Sequence, residues 1–122
     1  MVDLDRLERV LIQAAVERRA MTYGQLLSLF ERRVTPILVA ALCRDLGRVA
    51  DRRRGERWPD LACLVVRKSD GLPGEGYFTS LRAEQSYAGP STGPAAEAFV
   101  RARQRVARRW AEARPASPGA EG

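Results

Sequence analysis

The chain contains no histidine. That removes the side chain most often used as a general base near neutral pH, and the one most often found on a metal ion. Cysteine is scarce as well, with Cys43 and Cys63 each set inside an apolar run. Two separated thiols without a histidine supply neither the four ligands of a closed zinc site nor a Cys-His nucleophile. They read as reduced core residues rather than a disulfide. Ser69, Ser80 and Ser86 have no evident base beside them, and Gly74-Glu75-Gly76 lacks the lysine and the following helix of a phosphate loop. The expectation is a protein that is not an enzyme and holds no metal or cofactor. Long hydrophobic runs are missing too. The longest, Ile37–Cys43 and Leu61–Val66, fall far short of the ~20 residues a membrane-spanning helix needs, so no membrane partner is expected. The first residues, MVDLDRLERV, are acidic and helical where an export signal would be basic and then apolar, which makes the cytoplasm the expected location.

Lysine is nearly absent: of the 21 Lys and Arg residues, Lys68 alone is lysine. The net charge is +6 and the isoelectric point about 10.3, a balance that suits a polyanionic partner, because clustered cations release counterions from phosphate. Such an arginine bias with abundant alanine also fits a GC-rich coding sequence, so position counts for more than the total. Four arginines lie between Arg52 and Arg57, and six between Arg101 and Arg114. A chain of 122 residues is long enough for one domain and one core.

Thr22 to Arg54 is the best-defined stretch. Thr22 followed by Gln25 forms a capping box at the start of a short helix, with Leu26, Leu29 and Phe30 on one side. Thr35-Pro36 starts a second helix, since Thr caps well and Pro gives up an amide that is unpaired anyway. Leu38, Ala41, Leu42, Leu46 and Val49 form its buried stripe, and Arg44, Arg48, Arg52 and Arg53 lie off that stripe. Before this pair, Asp3 caps a scaffold helix through about Arg19. After it, Leu61–Val66 reads as a strand, and Asp70-Gly71 and Pro73-Gly74 as turns. Tyr77-Phe78 then reads as a second strand, closing a hairpin. Ala83 to Ala96 has no apolar period and two Gly-Pro pairs. A last helix follows to about Ala113, with Phe99, Ala102, Val106, Trp110 and Ala113 as its stripe, ended by Pro115.

MTYGQLLSLF, PILVAALCRDLG and PDLACLVVRKSDG together resemble the DNA-binding half of the alkylguanine-DNA alkyltransferase and alkyltransferase-like families, over about Met21 to Tyr77. The resemblance implies a winged helix-turn-helix, with Tyr23 in the position of the family's phosphate-contacting tyrosine. The family's Pro-Cys-His-Arg active site falls on Pro59, Asp60, Leu61 and Ala62, so its reactive cysteine and histidine are absent. Its intercalating arginine aligns with Ile37. The resemblance therefore implies architecture without alkyl transfer.

The expected fold is mostly α with a small β-hairpin: a winged helix-turn-helix domain over 1–82, a flexible tether over 83–96, an amphipathic helix over 97–114 and a disordered tail over 115–122. The favoured function is non-catalytic binding of double-stranded DNA. Tyr23, Arg44, Arg48, Arg52, Arg53, Arg54, Arg67 and Lys68 are the candidate contacts, the last two at the base of the wing. The alternative is a protein-interaction module. On that reading Phe99, Val106 and Trp110 engage a protein partner or a second copy of the chain.

Overall fold

The computed structural model describes residues 3–53 and 55–114; the tail read over 115–122 and Arg54 lie outside them. The chain is mostly helical, with a two-stranded parallel sheet. Its elements are α1 (Leu4–Val16), β1 (Met21–Thr22), α2 (Tyr23–Leu29), α3 (Pro36–Arg52), a 3-10 turn (Ala62–Leu64), β2 (Val65–Val66), α4 (Glu75–Ala83) and α5 (Pro94–Ala113).

Helix α1 begins where Asp3 accepts the amides of Asp5 and Arg6. It turns Leu7, Leu11, Ala14 and Ala15 into the core. There they meet α3 through Leu42, Leu46 and Val49, the 3-10 turn through Cys63 and Leu64, and α5 through Ala107 and Ala111. The Leu61–Val66 run is buried almost throughout, yet only its last two residues are extended. Asp60 Oδ1 accepts the amide of Ala62 at 3.0 Å and so winds the first part of the run into the 3-10 turn.

The expected hairpin is corrected here. β2 pairs in parallel with β1, Met21 opposite Val65 and Thr22 opposite Val66, and Tyr77-Phe78 sits within α4. Phe78 and Leu81 are three residues apart and both buried, which is helical spacing, and Glu75 in the first turn suits the positive end of the helix dipole. The 67–74 segment is a closed loop: Arg67 N–H donates to Leu72 O at 2.7 Å and Gly71 N–H to Arg67 O at 3.0 Å.

The stretch read as a tether is helical at both ends, Ala83 closing α4 and Pro94–Ala96 opening α5. Between them Tyr87 lies against Phe78 and Phe99, with ring centroids 6.0 and 4.5 Å away, in a second apolar cluster built on Leu72, Phe78, Leu81, Ala96 and Val100.

The stripe expected on the last helix is rotated. The buried line of α5 is Ala96, Val100, Gln104, Ala107 and Ala111. Two alanines on this line, Ala107 and Ala111, let α5 approach α1 closely, which a line of Phe and Trp would prevent.

Candidate nucleic-acid interface

The two helices that carry the arginines are set by their caps. Thr22 Oγ1 accepts the amide of Gln25 at 3.1 Å while Gln25 Oε1 accepts that of Thr22 at 3.0 Å, the reciprocal capping box read in the sequence. Thr35 Oγ1 accepts the amide of Leu38 at 3.1 Å and Pro36 opens α3. Between the helices, Glu31 takes a left-handed conformation with φ of 57°, and Arg32 N–H reaches back to Leu27 O at 2.9 Å. Glutamate does here what glycine usually does at the end of a helix.

Helix α3 turns Ala41, Leu42, Asp45, Leu46 and Val49 inward. Ile37, Ala40, Arg44, Gly47 and Arg48 face solvent. Ile37 is 77% exposed and Val34, in the turn before it, 65%, while the Val34 methyl lies 3.3 Å from the Cβ position of Gly24. The start of α2, the turn and the start of α3 therefore share one surface.

The candidate contacts divide sharply on this framework. Arg44 and Lys68 are exposed and have no ion-pair partner among the described residues. Arg48 is also exposed, although it reaches Asp45 at 3.3 Å. Arg52 instead pairs with Asp5 on α1, and the hydrogen bond from Arg52 holds the Asp5 carboxyl below its usual range. Arg53 is engaged more fully: Nε and Nη2 donate to the two oxygens of Glu8 at 2.8 and 2.6 Å. Its guanidinium also lies 4.1 Å from the centre of the Trp58 ring, and the Glu8 hydrogen bond pushes its pKa further up. Arg67 is tied to Asp70 at 2.8 Å and to Ser91 O at 3.2 Å. These three hold the fold together, and their charge is largely neutralised.

Tyr23 is also committed inward. Its hydroxyl accepts the amide of Gly74 at 2.9 Å, and burial pushes its pKa from 10.0 to about 12. Two further cations, in the turn between α2 and α3, belong to the surface. Arg32 and Arg33 are exposed and have no ion-pair partner among the described residues. Their signal was in the sequence, since they stand just before the Thr35-Pro36 start of α3.

Beside the outward face of α3 a cleft of about 750 Å³ opens toward α4, with Arg44, Gly47, Trp58 and Tyr77 among its walls. Asp60 organises its inner wall. Tyr77 Oη donates to Asp60 Oδ2 at 2.5 Å, and Arg103 Nη1 donates to the same oxygen at 3.0 Å. Burial, then the nearby Asp60 charge, raises the Tyr77 pKa. Cys63 donates to Asp60 O at 3.1 Å, and Gln104 Nε2 donates to Cys63 O at 2.9 Å. One aspartate thus joins the 3-10 turn, α4 and α5. Burial pushes both thiols, Cys63 and Cys43, up from the usual range, away from the thiolate that nucleophilic chemistry needs.

The residues read as a partner surface are dispersed. Phe99 packs into the second cluster, and Trp110 packs on the main core against Trp58, centroids 4.6 Å apart. Val106 is 57% exposed. Among the described residues no helix is long and apolar enough to cross a membrane. No family model matches the chain, and no curated protein or solved structure matches it significantly.

Proposed function

We propose that the chain is a non-catalytic binder of double-stranded DNA, in which α2 and α3 form a helix-turn-helix and α3 is the reading helix. The observation that carries this is the exposed start of α3: Ile37 stands clear of the protein, with Arg32 and Arg33 in the turn before it, Arg44 two turns further along the helix, and no acid paired to them among the described residues. A helix of this kind enters a groove by its N-terminal half while cations beside it meet the phosphates. The loop 67–74 takes the place of a wing, with Lys68 directed to the backbone, and the resemblance to the alkyltransferase DNA-binding half supports the same architecture.

The test is binding of a fluorescent duplex at low salt. Reversing Arg32, Arg33 and Arg44 to Glu is expected to weaken binding by at least tenfold, since each lost contact to the duplex becomes a repulsion. Neutralising Arg67 to Gln is expected to change it little, because that charge is already satisfied. Equal effects of the two changes would count against this reading.

A second reading has its own support. Val34 and Ile37 are apolar, and a partner protein with an apolar pocket would cover them as well as a groove does. In that case the complex would tolerate salt.

A further inference from the structure

Five outward positions of α3, Ile37, Ala40, Arg44, Gly47 and Arg48, follow one another at three-, four- or one-residue steps along one side of the helix. Their side chains differ in a way that matters at a groove floor. Ile37 is apolar and 77% exposed. Ala40 and Gly47 are small, and nothing lies within 4 Å of the Cβ position of Gly47, so the backbone has room to come close to a flat surface. Arg44 is the first long cation on the line and has no partner among the described residues.

We infer that Ile37 and Arg44 are specificity-determining residues for duplex DNA, Ile37 against the C5-methyl group of a thymine and Arg44 on the O6 and N7 of a guanine. The inference rests on the DNA-binding reading above. The major groove admits a helix, and there the thymine methyl is the apolar group on the base edges. Guanine offers two acceptors side by side, the pattern that a guanidinium fork matches. The occupant is chosen by charge: an exposed apolar tip that follows Arg32 and Arg33 in the chain, both without an ion-pair partner among the described residues, suits a partner that carries anions beside an apolar spot. A purely apolar pocket would strand those two cations. The helix also fixes the spacing. Seven residues at a rise of ~1.5 Å place the two side chains ~10 Å apart, which is about three base pairs at ~3.4 Å each. The recognised site thus holds a thymine and a guanine about three base pairs apart.

The experiment uses the full chain and a randomised duplex pool, sequenced after several rounds of retention, followed by anisotropy on the selected site. The expected result is an enriched thymine and guanine at that spacing. Replacing the selected thymine by uracil, which removes only the methyl, should weaken binding by about fivefold or more. Ile37→Ala should bind the thymine and uracil duplexes alike while keeping the guanine preference, and Arg44→Ala should do the converse. Both side chains are exposed, and unchanged circular dichroism checks that the variants fold. A pool retained in a salt-dependent way with no base preference, or equal affinity for thymine and uracil, overturns the inference and leaves DNA binding standing. A pool not retained even at low salt overturns both.

Discussion

Arg53 at the end of α3 grips Glu8 on α1 with both arms of its guanidinium, at 2.8 and 2.6 Å, and Glu8 is 6% exposed. A charge buried this far is tolerated only with its partner in place. Arg53→Ala, which strands the Glu8 carboxylate, should therefore destabilise the protein by ~2–4 kcal/mol, which lowers the melting temperature by roughly 10 °C for a domain of this size, while leaving duplex affinity within about threefold. Glu8→Ala should cost less, because Arg53 keeps Glu56 at 3.6 Å. A stable Arg53→Ala variant that has lost its DNA would return this arginine to the interface.

The Asp60 junction gives a second expectation. Tyr77→Phe removes one donor and leaves Asp60 Oδ2 with Arg103, so its cost should be ~1 kcal/mol. Arg103→Leu removes the only cation paired with that carboxylate among the described residues, and should cost more, ~2–3 kcal/mol. Urea unfolding of the two variants, compared at constant m, reads the order. A costlier Tyr77→Phe would show that the hydroxyl, not the guanidinium, is the main partner.

The thiols should be quiet. Cys63 is fully buried and burial raises its pKa, while Cys43 is half-buried. Iodoacetamide on the native protein should label Cys43 first and Cys63 only on unfolding. Incubation with alkylated DNA should leave the intact mass unchanged. A mass gain that disappears in Cys63→Ser would establish alkyl transfer.

Alkali should weaken the fold through Tyr23. Its pKa is about 12 in the folded chain against 10.0 ordinarily, so the unfolded chain loses this proton first as pH rises. The stabilisation is complete below pH ~10 and falls away by ~12, worth ~3 kcal/mol at most. Melting temperature measured from pH 9 to 12 should fall less in Tyr23→Phe than in the parent. Parallel curves would place the alkaline loss elsewhere.

Local signals were legible in the sequence and distant ones were not. The caps at Thr22 and Thr35 depend on neighbours three residues away, and both stand as read. The pairing of Arg53 with Glu8 joins residues 45 apart; in the sequence Arg53 is simply another arginine in a basic run. Tyr77-Phe78 looks like a strand because both are good strand formers. The three-residue step from Phe78 to Leu81 decided for helix once both were buried in one cluster. In α5 the large side chains Phe99, Val106 and Trp110 carry the apolar signal but lie off the buried line, because the helix meets α1 through the small Ala107 and Ala111. The same rule redistributed the site: arginines near a carboxylate on another element were taken into the fold, and those at the α2–α3 turn were left outside.

The most direct test of the account is the salt dependence of duplex binding by the unaltered chain. With Arg32, Arg33 and Lys68 on phosphates, the logarithm of the binding constant should fall against the logarithm of salt with a slope of about −3, near −0.9 per contact. Arg32→Gln combined with Arg33→Gln should make that slope shallower by about 2. A slope near zero, or one unmoved by the double substitution, would contradict a DNA interface at the start of α3.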